Sequence, residues 1–387
     1  MKLKNIGLSL AVISALGLGI TGCGSSSSDT PGATTETGIF VDAPVQGLKY
    51  ITATQSGYTN GKGEFKYVAG ETIEFKLGNL SLGNKVGSTL MTPYTLGDSN
   101  TTSPSTKTTN IAMLLQTLDA NRSNGNILDL SKLKDFIFSN IDLTSSVNDM
   151  ENTIIPNIVS AVTSHANFGA NFLDINTTVV SATSANSNMK ISVLESITIT
   201  HLDKVYKNII SKHTKKIWLD RNLGASQACT SFNDEACYGD YYQWGRETDG
   251  HEKSNSSLSS IRATSVSNIG NKDFIVASID WTTADSNGDI RKLNWNPCPY
   301  GYRIPTIAEL VDEGISNRDD AYIKLKLPSA GYRLYDSGLL DSQGIYGRVW
   351  SSSVYEYNSK YFAFGLDYAS GPQRNRSYGR SVRCIKN

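Results

Sequence analysis

Hydrophobic and polar positions change their rhythm several times along the chain. A largely apolar run, rich in Leu, Ile, Ala and Gly, occupies residues 6–20, behind Lys2 and Lys4. It is too short to span a bilayer, and no stop-transfer pattern follows it. From residue 38 to about residue 96 the pattern is that of short strands. Ile39-Phe40-Val41, Leu48-Lys49-Tyr50-Ile51-Thr52, Glu64–Val68 and Thr72–Leu77 are rich in strand formers, and Asn60-Gly61 gives a turn signal. A small β-sandwich module over 38–100 is expected. Between 101 and 212 the period lengthens, and residues 110–118, 130–141 and 154–162 carry helical apolar stripes. This segment reads as a helical connecting region. From 213 to 387 the helical stripes thin out. One helix is expected at 306–311, where Pro305 precedes a T-x-x-E capping box of Thr306 and Glu309. The expected fold class is α+β.

The apolar run closes on Ile20-Thr21-Gly22-Cys23, which resembles the bacterial lipobox. The resemblance implies cleavage before Cys23, attachment of diacylglycerol to its sulfur and acylation of the new amino terminus. Residues 1–22 are then a signal peptide. Several acyl chains, at ~0.8 kcal/mol per buried methylene, make such an anchor effectively permanent. Residues 23–37 are Ser- and Gly-rich and cannot bury apolar surface, so they read as a tether. In a Gram-negative host, Gly24 after the cysteine, rather than Asp, implies sorting to the outer membrane. The expected location is the cell envelope, lipid-anchored and surface-exposed, with the lipid membrane as one partner.

Lysine plus arginine balances aspartate plus glutamate at 36 each, and no basic block occurs. That balance argues against a nucleic-acid partner. With Cys23 acylated, Cys229, Cys237, Cys298 and Cys384 remain, an even number in an exported chain. Two disulfides with three connectivities follow, of which Cys229–Cys237 and Cys298–Cys384 are favoured. The spacings and the lack of an adjacent histidine argue against zinc. Asp119-Ala120-Asn121-Arg122-Ser123-Asn124-Gly125-Asn126 and Asp285-Ser286-Asn287-Gly288-Asp289 mimic calcium loops, although Leu130 stands where an EF-hand needs its bidentate Glu. Both read first as polar turns; beyond a structural calcium ion no cofactor is expected.

Two stretches resemble known families. The run from Val41 to Gly83, "VDAPVQGLKY…TNGKGEFKYVAGETIEFKLGNLSLG", is similar to a spacer module of bacterial surface lipoproteins and adhesins. In the last third, "IWLDRNLGAS", "GDYYQWGRETDG", "WNPCPYGYRIPTIAEL", "LKLPSAGYR", "GRVWSSS" and "YGRSVRC" occur in order. Together they resemble the Fibrobacter-type major paralogous domain, a branch of the C-type lectin-like fold related to formylglycine-generating sulfatase-modifying proteins. The resemblance implies a compact α+β domain over 213–387 whose two ends pair and whose loops carry the ligand site, and it supports the Cys298–Cys384 bridge.

No catalytic constellation is visible around His213 or His251, and the cysteines are better used as bridges, so the chain is not expected to be an enzyme. Trp295-Asn296-Pro297 only half matches the calcium-lectin Trp-Asn-Asp, which leaves Trp295 for the core. The informative stretch runs from 346 to 378. Residues 361–367 alternate as a strand, with Phe362, Phe364 and Leu366 expected inward and Tyr361 and Asp367 outward. Around it lie Tyr346, Tyr355, Tyr357, Asn358, Tyr368, Arg374, Asn375, Arg376 and Tyr378. This is the vocabulary of binding loops, in which Tyr supplies contact area at low entropic cost. A ligand-binding face for a protein or glycan on another cell or phage is expected. The segment also resembles the target proteins of diversity-generating retroelements, in which adenines of a repeat are randomised. The alternatives are a periplasmic enzyme or accessory of formylglycine-type sulfatase modification and a purely structural envelope lipoprotein.

Overall fold

The computed structural model describes residues 34–120, 127–165, 178–267, 269–285 and 289–387. The signal segment, Cys23, most of the tether and the centres of both calcium-like loops (121–126 and 286–288) lie outside the described residues. No described helix is long and apolar enough to cross a membrane.

The first part of the chain folds around two main sheets, with a small parallel pair of Val45–Gln46 and Leu128–Asp129 beside them. Thr35–Phe40 lies between Glu64–Val68 and Leu90–Met91, and Ser56–Tyr58, Lys49–Ile51, Thr72–Leu77 and Leu80–Val86 form the second sheet in that order. Alternation places Phe65 and Tyr67, then Ile73, Phe75 and Leu77, inward. The rings of Phe40, Phe65 and Phe75 meet at 4.8–5.1 Å. At the expected turn the Asn60 side chain accepts from the backbone N–H groups of Lys62 and Glu64, and Gly63 takes the left-handed φ of 73°.

The helical stretch is not a separate connector. Helix Thr106–Thr117, capped by Ser105, is buried from Thr108 onward, and its Leu114 and Leu115 share one core with Phe40 and Phe75. Helices Ile155–Ser164 and Ala182–Ser196 close that core through Ile155, Val162, Ala185 and Met189. The helix expected over 130–141 is absent. Only the turn Ser131–Leu133 is helical, and the chain then alternates with Phe136 and Phe138 buried and Ile137 exposed. The Asn79 amide pairs with both backbone groups of Phe138 at 2.7 and 3.0 Å, which holds this segment extended.

Thr198–His201 and Lys204–Ile210, counted by sequence with the connector, belong to the five-stranded sheet of the last part. Its order continues through Ile217–Leu219, Ile385–Lys386 and Tyr302–Arg303. The first strand of the 213–387 segment therefore pairs with the last, Trp218 opposite Ile385. Both disulfides form as favoured, Cys229–Cys237 and Cys298–Cys384. The helix Ile307–Asp312 has its capping box of Thr306 and Glu309. Asp289–Asn294 and Arg318–Leu325 are further helices that the thin apolar pattern did not reveal. The architecture is mixed α and β, with many small sheets.

Candidate functional site

Gly347–Tyr355 and Asn358–Phe364 form the longest hairpin of the last part, with Tyr355 opposite Asn358 across the two-residue turn Glu356-Tyr357. Glu356 sits at φ 50°, a left-handed conformation that costs an L-residue about 1–2 kcal/mol. The fold holds it there from below. Nη2 of Arg376 donates to the carbonyls of Glu356 at 2.7 Å and Asn358 at 3.1 Å, and its Nε donates to Ser359 Oγ at 3.1 Å. Arg376 is fully buried over the Trp244 ring, with Nη1 3.5 Å from Asp280. Asp280 is in turn gripped by both terminal nitrogens of buried Arg291 at 2.9 and 2.7 Å. Burial pulls the Arg376 pKa down, with neighbouring Arg291 adding to it and Asp280 opposing it. The tip is thus a short turn anchored to a satisfied, water-excluded charge network.

Beside the tip lies a cavity of about 240 Å³ lined by Arg262, Ile279, Asp280, Thr282, Thr283 and Tyr357. Tyr355 is 45% and Tyr357 59% exposed, and Ile279 is 60% exposed. Lys360 Nζ lies 5.8 Å from the centre of the Tyr355 ring. Gln373–Arg374 pairs along the same strand, Ser359 opposite Arg374. The Asn375 amide donates to the carbonyls of Ala277 and Ser278, which ties that strand to the cavity loop.

The structure brings Tyr355, Tyr357, Asn358, Arg374 and Asn375 together at this tip. A second group gathers at the other end of the hairpin. There Tyr346 and Tyr368 have ring centres 6.1 Å apart, and Asp367 is exposed. Six residue steps of extended chain, about 20 Å, separate the two groups. Half-buried Tyr378 packs on Tyr332 and Tyr335.

Two expected contact residues are not on the surface, and one expected core residue is. Tyr361 is 2% exposed, its ring 3.9 Å from the guanidinium of fully buried Arg380, which Trp350 and Tyr378 also face at 4.2 and 4.5 Å. Burial pushes the Arg380 pKa down to about 9. Arg376 is the anchor described above and not a contact residue. Leu366 is 64% exposed because the strand ends at Phe364 and the chain turns. Phe362 and Phe364 do face the core, with Trp218 and Val349. The strand is therefore covered on both sides. Trp295 packs on Trp244 at 5.4 Å and donates its indole N–H to the Arg246 carbonyl. Arg262 and Ile279 were not singled out in the sequence, where an exposed Arg and Ile look like ordinary surface.

Asp249, His251 and Glu252 also converge closely enough to suggest a metal site. Their chemistry is otherwise used. His251 Nε2 accepts from the Gln243 N–H and its Nδ1 bonds Asp249 at 2.7 Å, so both ring nitrogens are engaged. Burial lowers the His251 pKa to about 4 and keeps the ring neutral. Asp285 of the second calcium-like loop pairs with Arg291, and Asp119 of the first accepts from the Asp129 N–H. Two larger open grooves, of about 540 and 450 Å³, run along helix Ala182–Ser196 and contain none of the expected ligand residues. No protein-family model, curated protein or solved structure matches the chain.

Proposed function

We propose that the chain is a lipid-tethered surface protein whose carboxyl-terminal part, of C-type lectin-like type, binds a protein or glycan ligand through the hairpin tip. The observation that carries this reading is the pair of exposed tyrosines, Tyr355 and Tyr357, on a turn pinned from beneath by Arg376. Rigid aromatic anchors on a preorganised turn lose little freedom on binding, which is what makes tyrosine effective in recognition loops. The pairing of Ile217–Leu219 with the terminal strand, and the Cys298–Cys384 bridge beside it, support the lectin-like assignment. A formylglycine-type activity would need free thiols, and all four described cysteines are bridged.

The test compares the mature protein with the Tyr355→Ala/Tyr357→Ala variant on an oligosaccharide array and on whole bacterial cells. Binding should fall by more than tenfold while the unfolding temperature moves little. Undiminished binding by the variant refutes the tip as the ligand face.

A further inference from the structure

Building on that reading of the tip, we propose that its cavity takes a carboxylate-bearing sugar ring, with Arg262 as the residue that reads the carboxylate. The guanidinium of Arg262 is already held in place: Nε donates to the Asp280 carbonyl at 2.7 Å and Nη2 to the Thr282 carbonyl. Those bonds use two of its five N–H groups. Among the described residues Arg262 makes no salt bridge, because the Asp280 carboxylate is committed to Arg291 and Arg376. An exposed guanidinium fixed by main-chain carbonyls, with donors to spare, is a preorganised fork for a carboxylate.

The surroundings point the same way. Arg262, Lys360 and Arg374 stand around the tip against the acid Glu356, the other acid at the cavity, Asp280, being paired with Arg291 and Arg376, although the chain as a whole is neutral. The Tyr357 ring and Ile279 supply apolar wall and exposed Thr283 a hydroxyl, while the buried Thr282 hydroxyl is committed to the Ala263 carbonyl. A pyranose needs this combination, an apolar surface for its C–H face and polar groups for its hydroxyls. At about 240 Å³ the cavity is smaller than a site for a drug-sized molecule, so it holds a single ring with the rest of a glycan outside.

The experiment uses the mature chain on an array of sialylated, uronate-terminated and sulfated oligosaccharides beside their neutral parents. The carboxylated sugars should bind at least tenfold more tightly than the neutral ones, and the preference should shrink as salt rises. Arg262→Lys keeps a charge but loses the fork, and should lose most of the preference; Arg262→Gln should lose all of it. Because both changes touch the carbonyls of Asp280 and Thr282, Lys360→Gln/Arg374→Gln serves as a second variant. It should weaken the salt dependence and leave the carboxylate preference in place.

Equal binding of acidic and neutral sugars, a preference that survives Arg262→Gln, or binding of sulfated sugars or acidic peptides alone overturns the proposal. If that binding still disappears with Tyr355→Ala/Tyr357→Ala, the tip remains the ligand face and only the carboxylated-sugar assignment is lost. Binding that ignores the tyrosine variant overturns both.

Discussion

Arg376 and Tyr357 lie close together at the hairpin tip, yet removing each should have opposite consequences. Arg376→Ala deletes a fully buried guanidinium that satisfies two tip carbonyls and Ser359 Oγ and faces Asp280. Breaking a buried ion pair typically costs 3–5 kcal/mol, because one charge is left uncompensated. Here Arg291 still holds Asp280 with both terminal nitrogens, which moves the expectation to the lower half of that range. The loss of support under left-handed Glu356 and the void beside Trp244 keep it from falling below that half. We expect about 3–4 kcal/mol, or a drop of roughly 6–16 °C in Tm for a unit of this size. Tyr357→Ala, at an exposed position, should change stability by about 0.5 kcal/mol or less. Urea unfolding followed by tryptophan fluorescence measures both, since Trp244 lies directly under Arg376. An Arg376→Ala protein within 1 kcal/mol of the parent would show that the network does not hold the tip.

Three further outcomes are expected. In the chain-entropy model the 86-residue Cys298–Cys384 loop is worth about 4–5 kcal/mol and the 8-residue Cys229–Cys237 loop about 2–3 kcal/mol. Double Ser replacement of the first pair should therefore shift the urea midpoint further than replacement of the second; the reverse order would refute the loop argument. Burial raises the Asp42 pKa from 3.8 to about 8, against an opposing bond from Gln116. The native state then keeps a proton that the unfolded chain releases, so stability falls as pH rises from about 4 to about 8, by up to ~1.4 kcal/mol per unit. Asp42→Asn should flatten that slope, and parallel profiles for both proteins in urea titrations would contradict it. Finally, deep sequencing of the gene's 3′ end within one culture tests diversification. Substitutions should concentrate at adenines in the codons of exposed Tyr355, Tyr357, Tyr368 and Arg374 and half-buried Asn358 and spare Tyr361, Phe362 and Arg376, and a uniform sequence removes the retroelement reading.

What the sequence determined by itself was local. The strands Glu64–Val68 and Thr72–Leu77, the Asn60 turn and the capping box of Thr306 and Glu309 depend on residues within a few positions of one another. The bridges followed from an even cysteine count and a favoured pairing. The Tyr-rich end drew attention to the tip because its Tyr, Asn and Arg match the composition of recognition loops. Tertiary structure decided what distance along the chain concealed. Alternation in Asn358–Phe364 marks two faces but does not say what covers each. Trp218, 140 or more residues earlier, buries Phe362 and Phe364, and Arg380 and Trp350 bury Tyr361 on the other side. Residues 130–141 carry a helical stripe, yet an Asn79 side chain more than fifty residues away holds them extended. Arg376 became an anchor, and not a contact, because Asp280 and the tip carbonyls converge on it from separate loops. Arg262 gained its part in the cavity the same way. Capping and period act over a few residues and are legible in order; burial and charge pairing depend on which distant segments meet, and only the folded chain fixes that.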